Sequence, residues 1–587
     1  MCKLVASKGR TDGAAWRWGW VLRLAALFLL VYATNHGFSH RIERLFVQEK
    51  WLVLAIFLAV WGLSILCMVV AALQPNRLLR ALWAAVIALS TAGAHGFYLV
   101  SGADFTVYDA MSMWNARHEA GRAIEFFQSA GIWALLVLIA SYVIFVASPV
   151  PRQAVVRRYL HRLSWVPAVA IGLMAAILVV RDGSGLQAMP RQFQPLAVSL
   201  VASVRVMTDH APPRSDVAWA PSAPPKITNI VLLVDESIRP DYIDWHPGNP
   251  YTPILARNRD RFVDFGPAAS GANCSGYSNA ILRLGGARAD LVKSVRTNPN
   301  IWQFARTAGF RTVYIDGQSG FIKSKRKLQN FMTLEETRWI DRHVTFDDVP
   351  APDLDIEVLR AVREEISGSV PVLVYANKNG AHFPYDSAYP ADQAIFTPTI
   401  EASSSPTPQI RVNSYRNAVR WSVDGFFGKL LDDVDLSNTA VIYTSDHGQR
   451  LGDGRMTHCT VENPDPRQGL VPLFVVTGNE ELMKRFTSGA RLNRGRASHF
   501  AITPTLLDLM GYPLDSVRSS FGPSLFGRQE EAPAFTSEFI FGLFRSDVTW
   551  TPVDLDTDFL EDFAHPQRPG TPAAVPSTVA HEELAPR

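Results

Sequence analysis

The hydrophobic positions of this chain are laid out in two unlike ways. Over the first third they fall in long unbroken runs, at about 16–35, 51–73, 80–100, 130–148 and 164–181, with short polar stretches between. A helix needs about 20 apolar residues to cross a bilayer, so each run predicts a membrane-spanning helix. The first run lacks a small-residue cleavage site behind it and four more follow, which predicts a retained anchor rather than a signal peptide. From Asn229 onward the runs shorten. NIVLLVDE, RTVYIDG, PVLVYAN and TAVIYTSDHG are compact apolar segments, each closed by turn residues and separated by stretches of helical pattern. Such segments suit central strands covered on both faces by helices. The predicted fold class is α/β with a largely parallel sheet, preceded by an all-α five-helix transmembrane domain.

The pattern divides the chain into a five-span region at 1–181, an interfacial and Pro-rich linker at 182–226, a soluble domain at 227–530, and a C-terminal extension at 531–587 with a Pro- and Ala-rich tail expected to be disordered. The loop DFTVYDAMSMWNARHEAGRAIEFF between spans three and four is too apolar for an ordinary solvated loop and predicts an amphipathic helix at the membrane interface. On one continuous helix Asn115 and Glu119, four apart, share a face. They are candidates for a polar lipid head group, and a plain interfacial cap explains them as well.

Charge then orients the spans. Lys3, Lys8, Arg10, Arg77, Arg80, Arg152, Arg157, Arg158 and Arg162 fall on one side of the predicted membrane, and Arg41, Arg44, Lys50, Arg117 and Arg122 on the other. By the positive-inside rule the N-terminus is cytoplasmic, and five crossings carry everything after residue 181 outside, into the periplasm if the cell is bacterial. The net charge of +3 on 587 residues gives no reason to expect nucleic acid as a partner. Four cysteines are too few for a disulfide scaffold. Cys274 and Cys459 flank candidate catalytic residues and could bond in an oxidising compartment; two free, partly buried thiols are the favoured expectation.

In sheets of this type ligands gather at the carboxyl ends of the strands. Asp235 and Glu236 leave the first strand, and Asp446 and His447 leave the TAVIYTS strand. A carboxylate–imidazole pair beside a second carboxylate suits a zinc-like ion. Taken singly, each has an ordinary reading as a helix cap or a turn. In GANCSGYSNAILRLGG, Ser275 stands at the start of a helical pattern. A helix N-terminus stabilises an alkoxide or a phosphorylated hydroxyl; a simple N-cap is the alternative.

The order of these pieces resembles the sulfatase-like membrane phosphoethanolamine transferases of the alkaline phosphatase superfamily, over most of the chain to about residue 530. The matching series is Glu236, Ser275, His382, Asp446-His447 and His458. The resemblance implies an α/β/α sandwich and a metal site of Glu236, Ser275, Asp446 and His447. It implies Ser275 as nucleophile, and His382 (in NGAHFPY) and His458 (in GDGRMTHC) on the phosphoryl oxygens or the leaving-group proton. It further implies one zinc ion, with manganese or a second ion open, and a phospholipid donor. The acceptor would be lipid A or another envelope glycan, and the protein a monomer in the inner membrane. SHFAITPTLLDLMGY at 498–512 resembles the closing segment of sulfatase-like domains, with an architectural role.

The chain departs from the family in four places. Ser275 stands where Thr is usual, most family disulfides are missing, and Lys323 fits the family's phosphate-binding lysine only with a register shift. Asp235 occupies a position where sulfatases carry paired acids, which leaves a second ligand open. Conversion of Cys274 to formylglycine would need Pro and Arg at +2 and +4, where Gly276 and Ser278 stand, so sulfate ester hydrolysis is disfavoured. Two rivals stay open: a phosphoglycerol transferase resembling the lipoteichoic acid synthases, and a catalytically inactive tethered binding or sensing protein.

Overall fold

The computed structural model describes residues 11–117, 120–147, 153–183, 185–186, 189–209, 212–319, 328–452, 456–539, 541–544 and 547–555. Its N-terminal part is helical: α1 (Thr11–Thr34), α2 (Phe38–Val47), α3 (Trp51–Ala72), α4 (Arg77–Ser101), α5 (Val107–Asn115), α6 (Ala120–Phe126), α7 (Gln128–Val146), α8 (Ala154–Arg162), α9 (Val166–Val180) and α10 (Gln194–Thr208). Among the described residues, α3, α4, α7 and the run Ala154–Val180 are long and apolar enough to cross a membrane. Val21–Thr34 and α2, bent by 70°, supply a fifth span if taken as one unit. Small residues let these helices approach: a Cβ on Gly96 of α4 would lie 3.1 Å from the Ala134 Cβ of α7.

The loop expected to be one interfacial helix is two. Thr106 and Asp109 form a reciprocal capping box that starts α5, and α5 ends at Asn115. Asn115 and Glu119 therefore do not share one continuous helix, and Glu119 lies outside the described residues. The linker also has structure. α10 buries Ala197, Val198, Val201 and Ala202, and the Pro-rich stretch after it is bonded to the soluble domain through Ser215 N to Thr297 O at 2.8 Å and Lys226 N to Leu509 O at 2.8 Å.

The soluble part is built on a seven-stranded sheet of β1 (Asn229–Asp235), β2 (Phe262–Ala269), β3 (Arg311–Asp316), β4 (Arg342–Thr345), β5 (Val372–Asn377), β6 (Thr439–Ser445) and β7 (Leu470–Thr477). The order is β2-β7-β6-β1-β5-β3-β4. The run from β6 to β4 is parallel, and β7 is antiparallel to both its neighbours. Two apolar clusters cover opposite faces. Val231 and Leu233 of β1 pack into one, and Ile230, Leu232 and Val234 into the other, as a strand buried on both sides requires. The mostly parallel α/β architecture behind a helical membrane part is as expected. β1 and β6 pair in register to Asp235↔Ser445, so Glu236 and Asp446 leave the sheet side by side.

Candidate active site

Two strand ends and one helix start converge. Glu236 follows β1, Asp446 and His447 follow β6, and Ser275 opens α12 (Ser275–Arg283), which comes after α11 (Pro253–Arg257) and the turn behind β2. Ligand atoms of Glu236, Asp446 and His447 all lie within 4.8 Å of one another, and all three residues are buried. His447 Nε2 stands 3.4 Å from Glu236 Oε1 and 3.6 Å from Asp446 Oδ2. Ser275 Oγ is 3.0 Å from His447 Nε2 and 3.4 Å from Glu236 Oε1. The four residues expected to surround one cation are together.

Their surroundings fix which atoms are left for a ligand. His447 Nδ1 lies 2.6 Å from Gly448 O, which places a proton on Nδ1 and directs Nε2 at the cluster. Glu236 gives one oxygen to support: Gln318 Nε2 donates to Oε2 at 3.0 Å and to Lys378 O at 2.9 Å. Asp446 Oδ1 accepts from Ser237 N at 3.1 Å and His447 N at 2.7 Å. Asp446 Oδ2, fully buried, has no hydrogen-bond partner. A buried carboxylate oxygen is costly in that condition. It fits a cation at the centre of this donor set, because two carboxylates, one imidazole and a hydroxyl are suitable ligands for a divalent metal.

Without a cation, the electrostatics record the crowding. Burial and the charge of Glu236 push Asp446 above the ordinary carboxylate range. Burial would depress His447, but the Asp446 and Glu236 carboxylates outweigh it and raise the imidazole to about 9. Burial would likewise raise Glu236; its hydrogen bond with His447 and the charges of His447, His382 and His458 hold it well below its usual value.

The two further histidines border the cluster. The His458 ring stacks on His447 with centroids 4.3 Å apart, and its Nδ1 is 2.9 Å from Thr457 Oγ1. His382 is half-buried, with Nδ1 2.7 Å from Phe383 O, and its charge acts on Glu236. Asn115 is the last residue of α5, and Lys323 lies outside the described residues.

The expectation of free thiols is overturned: Cys274 and Cys459 form a disulfide, with Cα atoms 4.7 Å apart. It joins the residue before Ser275 to the residue after His458. Cys459 N also donates to Asn273 O at 2.8 Å, and Asn273 Nδ2 to Thr460 O at 2.8 Å, so the two loops are tied by three links. Asp235 is not a second ligand. Its Oδ2 takes the Lys378 ammonium at 2.5 Å and the Tyr443 hydroxyl at 2.8 Å, and Lys378 also lies 3.4 Å from Asp355. The loop after β5 comes so close that a Cβ on Gly380 (φ +55°) would sit 2.2 Å from Asp235 Oδ1.

Gln318, Lys378 and His499 support the site and were not singled out by sequence. Gln318 follows β3 and Lys378 follows β5, so the strand-end rule reaches both. His499, inside the closing segment, is buried under the nucleophile turn. Gly271 N donates to its Nδ1 at 3.1 Å, and its Nε2 is 3.0 Å from Thr444 Oγ1. The C-terminal extension reaches the same turn, with Thr536 N donating to Gly271 O at 3.2 Å.

This sheet order, with acidic and imidazole side chains beside a hydroxyl at a helix start, is that of a sulfatase-like domain, and residues 228–512 match the family model described as Sulfatase. Over this part the chain is similar to the Sulfatase family, and curated relatives that match it are phosphoethanolamine transferases. The Kdo(2)-lipid A phosphoethanolamine 7''-transferase of Escherichia coli is 26% identical over 255 residues, 42% of this chain and 44% of that protein. The phosphatidylethanolamine transferase Mcr-2 of Escherichia coli is 25% identical over 303 residues, 49% of this chain and 55% of that protein. These matches span about half of each relative's length. The integral membrane lipooligosaccharide phosphoethanolamine transferase A (EptA) from Neisseria meningitidis shares the fold, with a TM-score of 0.60 at 18% identity over 87% of this chain and 98% of that one.

Proposed function

We propose that this protein transfers a phosphoethanolamine head group from a membrane phospholipid to a glycolipid or glycan of the cell envelope, through a phosphoserine at Ser275. The observation that carries the reading is the placement of Ser275 Oγ, 3.0 Å from His447 Nε2 and 3.4 Å from Glu236 Oε1, at the first residue of a helix. Glu236, Asp446 and His447, with Ser275, would hold a divalent cation, and zinc suits their mixed nitrogen and oxygen donors. Such an ion supplies Lewis acidity toward the phosphoryl oxygens and lowers the pKa of a ligated hydroxyl.

The chain's own groups do the rest. Ser275 Oγ gives its proton to His382 or His458 and attacks the donor phosphorus, and the bond from phosphorus to the glycerol oxygen breaks. Diacylglycerol leaves as an alcohol, taking a proton that His382 or His458 hands over. The N–H groups at the start of α12 face the phosphorylated hydroxyl, where the helix dipole favours negative charge. An acceptor hydroxyl then passes its proton to the same histidine and attacks the phosphorus, the bond to Oγ breaks, and Ser275 takes that proton. The membrane helices are consistent with a lipid donor that diffuses in the bilayer. In the proposed orientation the N-terminus is cytoplasmic and the soluble domain lies in the periplasm of a bacterial inner membrane.

The experiment is a donor comparison. Membranes carrying the protein are given phosphatidylethanolamine or phosphatidylglycerol, each labelled in the head group. Label from phosphatidylethanolamine is expected in the envelope glycolipid fraction, and none in membranes carrying Ser275→Ala. Transfer from phosphatidylglycerol alone would make the protein a phosphoglycerol transferase, and transfer by Ser275→Ala at the wild-type rate would remove the covalent route.

A further inference from the structure

His499 is buried, at 1% exposure, in the segment that closes the soluble domain, and the proposed reaction gives it no step. The segment is fixed to the end of β2, where Ala269 N donates to Ala497 O at 3.0 Å and Ala269 pairs with Ser498. A buried imidazole is costly unless its nitrogens are bonded, so its partners say what it does.

Gly271 N donates to His499 Nδ1 at 3.1 Å, and the Ser278 hydroxyl lies 3.2 Å from the same atom. A backbone N–H can only donate, so Nδ1 accepts and the ring proton stands on Nε2. Nε2 donates to Thr444 Oγ1 at 3.0 Å, and that hydroxyl donates in turn to Pro472 O at 2.8 Å. All three side-chain or backbone partners of the ring flank the reacting groups. Gly271 precedes Ser275 by four residues and Ser278 follows it by three, while Thr444 precedes Asp446 by two and His447 by three. One flat ring therefore spans the nucleophile turn and the strand that delivers Asp446 and His447. The disulfide ties the same turn to the His458 loop; His499 ties it to β6.

We propose that His499 is a positioning residue, which sets the separation of Ser275 Oγ from His447 Nε2 through its bridge from Gly271 to Thr444. Its bearing on catalysis rests on Ser275 acting as the nucleophile. The closing segment, expected from sequence to be architectural, then helps to aim that hydroxyl.

The test uses the full chain and two changes that break one link from opposite ends. His499→Asn puts an amide where Nδ1 stands, which keeps the Gly271 bond and loses the bond to Thr444. Thr444→Val removes the same bond and leaves His499 in place. Crystal structures of the variants give the separation of Ser275 Oγ from His447 Nε2, and head-group transfer is measured over a range of donor concentrations. Each change should lengthen the separation from 3.0 Å by about 0.5–1 Å and cut kcat about a hundredfold with KM unchanged. The double variant should lose no more than either single one, because both remove one link. An unchanged separation in both variants, additive losses in the double variant, or a raised KM at the wild-type kcat overturns the proposal. The separation is read whatever the protein transfers, so a wild type that never carries label on Ser275 would sink the transfer reading and not this one.

Discussion

Asp235 and Glu236 are consecutive and equally buried at the end of one strand, yet they occupy opposite chemical situations. On the Asp235 side the protein supplies its own counter-charge: the Lys378 ammonium at 2.5 Å, backed by the Tyr443 hydroxyl. On the Glu236 side two carboxylates share one imidazole, and Asp446 Oδ2 is left without a hydrogen-bond partner. Burial and strand-end position are common to both. What separates a structural carboxylate from a candidate metal ligand is whether the chain has already neutralised it.

Changes on the two sides should therefore fail differently. The largest effect is expected at the nucleophile: Ser275→Ala should cut head-group transfer at least about a thousandfold with the unfolding temperature unchanged. On the Asp235 side, Lys378→Met leaves a buried carboxylate unpaired and should destabilise the soluble domain by about 3–5 kcal/mol, read by denaturant unfolding. On the Glu236 side, Asp446→Asn should abolish stoichiometric metal while leaving the metal-free fold as stable as before or more so, because it relieves repulsion with Glu236. Equal destabilisation by the two variants would break the distinction.

Smaller effects come with pH. His447 holds its proton up to about 9 in the metal-free protein, so a cation must displace it. Metal affinity should tighten as pH rises, by up to about tenfold per unit for one proton released, and level off above about 9; titration calorimetry in buffers of different ionisation heat measures that proton. His499 titrates in the opposite sense. Burial lowers it to about 3 from 6.5, so the unfolded chain takes up the proton first. The stability it contributes is complete above pH 6.5 and lost as pH falls toward 3. Between pH 6.5 and 5.5 the loss should be at most about 1.4 kcal/mol, and His499→Gln should lack that slope.

The sequence was most legible where side-chain pattern and chemistry coincide. The apolar runs locate the membrane helices and β1, β3, β5 and β6, and the strand-end rule reaches Glu236, Asp446 and His447. β2 and β7 escape because each carries a proline within its apolar run, which argues against a strand; in the fold Pro267 and Pro472 lie opposite each other beside an irregularity in the pairing. β4 is four residues long at the sheet edge and only partly buried, so it has no pattern to read. Nothing local to Lys378 reveals that Asp235 and Asp355 enclose it. The disulfide was legible only as a possible pair: its cysteines are 185 residues apart, and only the assembled sheet brings the nucleophile turn against the His458 loop. Periodicity alone does not mark the end of α5 at Asn115.

The most direct measurement is a peptide mass spectrum of the full chain, quenched soon after it meets phosphatidylethanolamine labelled in the head group. The account predicts a labelled phosphoethanolamine on Ser275 in the wild type and none in Asp446→Asn. Label on another residue, or continuing transfer with Ser275 unmodified at every quench time, would contradict it.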